Sequence, residues 1–225
     1  TVIQENVSLA KYTIYKIGGS ARFFVEAKSS KEIQEALGFA QSRELPFFVL
    51  GAGSNVLVSD SGFNGVIIHP SGGEVRVEDE RITVDAGIMM ARAVTESARA
   101  GLAGFEWGIG IPGTVGGSVR GNAGCFGGEM KYVVEQVEVF DARKLTTYNL
   151  QLNGCEFSYR DSIFKRHPEW IILRVTLKLR KGDSTAIQQE ISRITAERIV
   201  KQDIGTRSCG CIFKNIDWEF VPMGR

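Results

Sequence analysis

Glycine is the residue that most constrains this chain, because it is concentrated in two segments. Ten of the 26 glycines fall between Gly104 and Gly128, and a shorter cluster follows the apolar run Pro46–Leu50. Glycine allows positive φ and a close approach of the backbone to another group. It also destabilises regular structure by roughly 0.5–1 kcal/mol relative to alanine. We therefore favour a ligand surface over a flexible loop for the long segment.

The shorter cluster, Gly51-Ala52-Gly53-Ser54-Asn55-Val56, is a poor dinucleotide fingerprint because Val56 stands at the third glycine position. Its consecutive N–H groups still suit an anion, and Ser54 and Asn55 add side-chain donors. A tight turn between two strands is an equal alternative. In the longer segment, Gly108–Gly113 matches G-x-G-x-x-G formally, but Pro112 lies inside it and no strand precedes it, so the match alone is weak.

Hydrophobic periodicity predicts an α+β chain. Ser29 followed by Glu32 is a capping box at the start of a helix, and residues 185–201 are predicted to form the last helix. Apolar and polar residues alternate from Trp170 to Leu179, which predicts a strand. A short strand is also predicted at Val56–Val58, directly after the first glycine cluster.

Composition excludes several function classes. The net charge of +1 gives no sign of a nucleic-acid or membrane surface, and no apolar run approaches the roughly 18 residues of a membrane span. The four cysteines form no C-x-x-C pair, so a reducing cytoplasm is expected. His69 and His167 lack partner spacing, so no metal site is predicted.

Six motifs, taken in order from about residue 6 to residue 215, resemble the UDP-N-acetylenolpyruvoylglucosamine reductases. Each motif alone is modest, whereas six in the right order are specific. They are Lys16-Ile17-Gly18-Gly19, the Gly51–Leu57 loop, Ile111-Pro112-Gly113-Thr114-Val115-Gly116-Gly117, Gly121-Asn122-Ala123-Gly124, Tyr159-Arg160-Asp161-Ser162-Ile163-Phe164 and Cys211-Ile212-Phe213-Lys214-Asn215.

The resemblance implies an α+β fold of the vanillyl-alcohol-oxidase (PCMH) type, with FAD-binding subdomains at 1–60 and 61–182 and an incomplete substrate domain at 183–225. It implies that NADPH reduces FAD, which then reduces the enolpyruvyl group of UDP-N-acetylglucosamine enolpyruvate to give UDP-N-acetylmuramate for peptidoglycan synthesis. The UDP-sugar would be the partner of a monomeric cytoplasmic enzyme that binds neither nucleic acid nor membrane.

The resemblance also assigns roles to residues. Arg160 matches the catalytic arginine, which suits a carboxylate and developing enolate charge. Cys211 stands where the family generally has a proton-donating serine. A thiol, with an ordinary pKa of about 8.5, is a better acid than an alcohol. Substrate contacts are expected from Tyr159, Lys201 and Asn215. Cofactor contacts are expected from Gly51, Ala52, Gly53, Ser54, Asn55, Val56, Gly110, Ile111, Pro112, Gly113, Gly116, Gly117, Ser118, Asn122, Ala123, Gly124 and Arg198.

The chain departs from the family pattern at its C-terminus, because it ends before the position of a further catalytic glutamate and Glu219 lies too close to Cys211 to match it. Missing residues are the favoured explanation. The short stretch before Thr195 resembles the branch without a lid loop. Two alternatives stay open: another flavin oxidoreductase of the same fold, for which Cys125 could tether FAD, or a catalytically incomplete FAD-binding module.

Overall fold

A computed structural model describes residues 1–201 and 205–215 of the chain; Glu219 lies outside this range. Over these residues the helices are α1 (Ser30–Ser42), α2 (Met90–Arg99), α3 (Val115–Arg120), α4 (Ile163–Arg166) and α5 (Ser184–Lys201). The strands are β1 (Ile3–Ser8), β2 (Ser20–Ala27), β3 (Phe47–Val49), β4 (Phe63–Pro70), β5 (Val75–Glu78), β6 (Arg81–Asp85), β7 (Leu102–Ala103), β8 (Gly124–Cys125), β9 (Gly128–Glu129), β10 (Val134–Asp141), β11 (Thr146–Gln151), β12 (Trp170–Lys178) and β13 (Arg180–Lys181).

The first sheet has the order β1-β2-β4-β3, with β1 antiparallel to β2 and the other pairs parallel. Helix α1 covers it, with Ile33 and Leu37 among its buried residues. The predicted Ser29 cap is confirmed, because its hydroxyl accepts the N–H of Glu32 at 3.3 Å. The Glu32 carboxylate reaches back one residue further than a capping box requires and accepts the N–H of Lys28. Strand β4 belongs to this sheet although it lies beyond residue 60, the predicted end of the first subdomain. The division into subdomains stays a prediction.

The second sheet has the order β11-β10-β12-β6-β5 and is antiparallel throughout. The alternation that predicted a strand from Trp170 corresponds to β12, at its centre. Helices α2 and α3 lie on the sheet, and Phe105, Met130 and Phe164 fill the core between them. Helix α5, predicted from residue 185, begins at Ser184 and contacts both α2 and the turn at Glu106–Gly108.

The two sheets share a core. Phe140 and Leu173 of the second sheet pack with Leu37 of α1 and Val66 of the first sheet. Their fused apolar surfaces hold the two glycine-rich segments at fixed positions, because one segment follows β3 and the other follows β7. The predicted α+β class agrees with this architecture.

The predicted strand at Val56–Val58 is wrong, since this stretch forms no ladder. Val56 and Val58 pack against the Leu9 and Phe24 cluster from an irregular backbone, whereas Leu57 is 72% exposed. An apolar pattern of period two can therefore be satisfied over three residues without strand pairing. Sequence reasoning also missed α3, which lies inside the long glycine segment. Within the described residues, no helix is both long and apolar enough to span a membrane.

Candidate active site

The first glycine cluster forms a tight loop that is pressed onto the segment before β2. Gly53 has φ +63°, and a Cβ there would lie 2.0 Å from the carbonyl oxygen of Tyr12. The same glycine accepts the N–H of Ile14 at 3.1 Å. In the described part of the chain, the N–H groups of residues 51–55 donate to no protein acceptor. The loop therefore presents a row of unused donors, which is the arrangement that binds anions.

The second glycine segment meets this loop directly. A Cβ on Gly51 would lie 2.7 Å from the Thr114 hydroxyl, and a Cβ on Gly113 would lie 3.5 Å from the Ser54 hydroxyl. Thr114 caps α3 by accepting the N–H of Gly117 at 3.3 Å. The fold thus joins two glycine-rich segments, some sixty residues apart in sequence, into one backbone surface.

The backbone of the second segment is more fully bonded than that of the first. The N–H groups of Gly113, Val115, Gly116 and Ser118 all donate to protein carbonyls, at 2.8–3.0 Å. These groups are not free for a phosphate without rearrangement. The geometry therefore divides these predicted cofactor residues into a loop at 51–55 with unused N–H donors and a wall at 110–118 with mostly bonded N–H groups, where Ile111 and Pro112 form the approach to α3.

Arg160 lies on a tight turn and points back onto the end of the glycine segment. Ser158 and Asp161 exchange two backbone hydrogen bonds of 3.1 Å, and Arg160 between them has φ +54°. Its guanidinium donates to the carbonyl oxygens of Asn122, at 3.4 Å, and Gly124, at 2.7 Å. This predicted catalytic residue is therefore held by the predicted cofactor loop 122–124, which includes Ala123.

The neighbouring side chains keep the turn in place. Tyr159, 43% exposed, lies under the Arg160 guanidinium, 5.2 Å from ring centroid to Cζ. The Lys165 ammonium donates to the carbonyl oxygen of Arg160 at 2.5 Å. Burial lowers the pKa of Lys165, and the charges of Lys214 and Arg120 lower it further against the opposing effect of Asp161.

Arg198 reaches the site from α5. Its guanidinium covers Gly110 so closely that a Cβ there would lie 2.2 Å from Nε. The same group is 3.6 Å from the sulfur of Cys125. Burial raises the pKa of the Cys125 thiol, and the charges of Arg198 and Arg160 partly offset that rise. The two arginines therefore flank one thiol, which itself donates to the carbonyl oxygen of Trp107 at 3.0 Å.

The remaining predicted residues are exposed. Lys201 pairs with Glu197 at 2.5 Å, and its side chain is 66% exposed. Cys211 and Asn215 lie on the exposed segment 205–215; across the described residues, no hydrogen bond or ion pair joins either of them to Arg160. The structure therefore brings together both glycine segments, Arg160 and Arg198, but not Cys211.

Sequence reasoning missed Glu129, whose carboxylate accepts the side-chain amide of Asn122 at 2.9 Å. No spacing rule singles out this glutamate, although its position at the end of the glycine segment was a clue. A separate cavity of about 470 Å³ lies between β7, β13 and the start of α5. It contains none of the predicted site residues. Among the described residues, no group of three His, Cys, Asp or Glu side chains is placed to hold a metal ion.

A family model and two named relatives are similar to this chain over most of its length. A family model described as "FAD binding domain" matches residues 21–144. A Lactobacillus helveticus protein named UDP-N-acetylenolpyruvoylglucosamine reductase is 36% identical over 98% of this chain and 74% of its own length. A Gloeobacter violaceus protein of the same name is 35% identical, over 95% of this chain and 72% of its own length.

Solved structures agree in shape. The crystal structure of UDP-N-acetylenolpyruvylglucosamine reductase (MurB) from Thermus caldophilus matches with a TM-score of 0.79 and 35% identity, over 96% of this chain and 76% of that one. BBE-like 1 from Physcomitrella patens matches with a TM-score of 0.62 at 17% identity, over 76% of this chain and 38% of that one. At that identity, the second likeness concerns the fold alone.

Proposed function

Because this chain belongs to the UDP-N-acetylenolpyruvoylglucosamine reductase family, we propose that it reduces the enolpyruvyl group of UDP-N-acetylglucosamine enolpyruvate with NADPH, through FAD, to UDP-N-acetylmuramate. The predicted FAD-binding fold of the vanillyl-alcohol-oxidase type is confirmed. The observation that carries the proposal is that the long glycine segment contacts the first loop at one end and Arg160 at the other, since it joins a proposed cofactor surface to a cation suited to carboxylate.

The first loop fits the phosphates of FAD. Residues 51–55 offer N–H groups that no described protein group uses, and the Ser54 hydroxyl lies beside Gly113 at the other wall. Backbone donors of this kind bind phosphate through hydrogen bonds whose strength is raised by the anion's charge. When bound, FAD supplies the relay that passes a hydride from NADPH to the substrate. We propose that Gly51 to Val56 hold its pyrophosphate and that residues 110–118 with Arg198 line its other side.

Arg160 binds and orients the substrate carboxylate in this proposal. A guanidinium has five N–H donors in a planar fork. In Arg160 two of the nitrogens already donate to main-chain carbonyls, which fixes the plane of the group. The donors that remain suit a carboxylate and the enolate charge that develops next to it. A fixed cation is more effective than a mobile one because it needs no reorganisation as that charge appears.

Cys211 is the proposed proton donor, and Tyr159, Lys201 and Asn215 are the proposed substrate contacts. The Cys211 thiol is exposed, so its proton is not blocked by other protein groups. Segment 205–215 must then close on the bound substrate to bring Cys211 to the reacting carbon.

The structure does not favour a covalent flavin link through Cys125. Such a link needs a nucleophilic thiolate, whereas burial raises the pKa of this thiol and its hydrogen is donated to the Trp107 carbonyl. Acid precipitation is therefore expected to release all of the flavin. Flavin that stayed with the precipitated protein would revive the alternative.

The function is tested by two half-reactions without oxygen. The purified protein loaded with FAD should be bleached by NADPH, and the UDP-enolpyruvyl sugar should restore its absorbance and yield UDP-N-acetylmuramate. Failure of the sugar to restore the absorbance of the reduced protein would exclude the proposal for this chain and favour the catalytically incomplete FAD-binding module. The cellular role that we propose with this function is cytoplasmic peptidoglycan-precursor synthesis, which supports cell shape and division. We also propose that the enzyme is a monomer, and sedimentation at micromolar concentration tests that oligomeric state.

A further inference from the structure

The side chain of Asn122 is fully occupied by protein groups. The residue is 0% exposed and has φ +42°. Its amide nitrogen donates to the Glu129 carboxylate at 2.9 Å and to the carbonyl oxygen of Ser158 at 2.8 Å. Its amide oxygen accepts the N–H of Lys131 at 3.0 Å. An asparagine amide has two N–H donors, so this side chain has none left for a cofactor.

Asn122 therefore acts on Arg160 from two sides. Its own carbonyl oxygen, with that of Gly124, accepts the Arg160 guanidinium. Its side chain holds the carbonyl of Ser158, the residue that opens the turn carrying Arg160. The base of the turn and the head of the arginine are thus tied to the same residue.

Glu129 fixes Asn122 in turn. Strands β8 and β9 pair Gly124 with Glu129, so closely that a Cβ on Gly124 would lie 2.6 Å from Cγ of Glu129. The Glu129 side chain is only 22% exposed and also pairs with Lys131 at 3.1 Å. A half-buried carboxylate accepting an amide N–H makes a stronger hydrogen bond than a neutral acceptor would. The position of both carbonyls that hold Arg160 therefore depends on this carboxylate.

We propose that Glu129, acting through Asn122, is a positioning residue that sets the orientation of the Arg160 guanidinium for the substrate carboxylate. This inference deepens the proposed function and rests on it for the role of Arg160. Neither residue needs to touch substrate or cofactor. Loss of the link leaves Arg160 charged but free to rotate. Reoxidation by the sugar, which uses Arg160, should therefore slow, whereas reduction by NADPH should not.

The kinetic test compares two half-reactions in the FAD-loaded enzyme. In Glu129→Ala, reoxidation by the UDP-enolpyruvyl sugar should slow by at least about 30-fold, since a misplacement of about 1 Å costs on the order of 100-fold. Reduction by NADPH should stay within about twofold of the parent, because that step does not require an oriented carboxylate. Equal slowing of both half-reactions would overturn the inference, because it would indicate a general structural defect.

Two further variants sharpen this comparison. Glu129→Gln keeps an oxygen acceptor in place and should recover reoxidation to within about threefold of the parent. Glu135→Ala is the matched control. The Glu135 side chain is similarly exposed, at 28%, and its carboxylate pairs with Arg81 at a distance of 2.6 Å, in a part of the fold away from the site. It should leave both half-reactions unchanged. A Gln variant as slow as the Ala variant would contradict the hydrogen-bonding role.

A readout that needs no turnover separates this inference from the proposed function. In ¹⁵N-labelled protein, the guanidinium signals of Arg160, identified by their loss in Arg160→Lys, should show slow rotation about Nε–Cζ. Glu129→Ala should average them, whereas Glu135→Ala should not. Unchanged signals in Glu129→Ala would refute the positioning role even if the sugar is a substrate. If Glu129→Ala does not retain FAD, Glu129→Asp takes its place. Its reoxidation by the sugar should slow by about threefold or more, and its other expected results are the same.

Discussion

Gly53 gives the sharpest test of the first loop, because an alanine there meets two separate obstacles. Its φ of +63° is left-handed, which costs an L-residue about 1–2 kcal/mol. Its Cβ would also lie 2.0 Å from the Tyr12 carbonyl oxygen, so the loop must retreat by about 1.3 Å to reach an ordinary C···O distance of about 3.3 Å. Overpacking of this kind costs about 1–3 kcal/mol more.

The chain offers a matched control for the first obstacle. Gly72 has φ +72°, with no atom within 4 Å of its would-be Cβ. Gly72→Ala should therefore lose only the conformational part, about 1–2 kcal/mol, whereas Gly53→Ala should lose about 2–5 kcal/mol in urea unfolding of the protein without FAD. If the two variants lose the same stability, the predicted clash with Tyr12 does not exist.

The same substitution should weaken FAD binding. Moving the loop by about 1.3 Å breaks at least one N–H bond to a charged phosphate, which contributes about 1.5–3 kcal/mol, or a factor of about 10–150 in Kd. Titration with quenching of flavin fluorescence measures this change, and Gly72→Ala should keep the parent Kd. A Gly53→Ala protein that binds FAD as tightly as the parent would refute the placement of the pyrophosphate on residues 51–55.

Three further predictions address the chemistry and the core. Cys211→Ser should retain appreciable reoxidation by the UDP-enolpyruvyl sugar, whereas Cys211→Ala should slow this step by about 10²–10⁴ without slowing reduction by NADPH. Stopped-flow absorbance measures both steps, and an alanine variant as fast as the parent would exclude proton donation. Arg160→Lys should slow reoxidation by the sugar by about 10²–10³, because an ammonium cannot both reproduce the two carbonyl contacts and bind a carboxylate in bidentate fashion. A rate within threefold of the parent would contradict the role of Arg160 in binding the substrate carboxylate. Tyr148→Phe should leave the free energy of unfolding unchanged or raise it by up to about 1–2 kcal/mol, since the buried Tyr148 hydroxyl has no hydrogen-bond partner in the described structure. A loss of more than about 1 kcal/mol in urea unfolding would reveal such a partner.

Local signals in the sequence predicted local structure well. The Ser29 cap and the alternation along β12 each depend on residues a few positions apart, so the chain alone contains the information. The contact of Gly51 with Thr114 and that of Gly110 with Arg198 span tens of residues, and no periodicity encodes them. Only the family resemblance linked those segments. The Glu129 link to Asn122 escaped both kinds of reasoning, because a glutamate near a glycine turn is ordinarily a solvated one.

The glycines of the long segment serve a purpose that differs from the one first inferred from their number. A ligand surface was expected, yet several of the spaces where their Cβ atoms would lie are filled by the protein itself. The Trp107 ring lies 2.2 Å from that point at Gly128, and the Arg198 guanidinium lies equally close at Gly110. Gly113 and Gly117, by contrast, have no atom nearer than 3.4 Å. Glycine at the first pair lets α5 and an indole ring reach the backbone, and so brings Arg198 beside Cys125. The room left at the second pair would let a flat ligand approach the main chain. The proposed cofactor surface is therefore narrower than the glycine count suggests, and protein packing defines its limits.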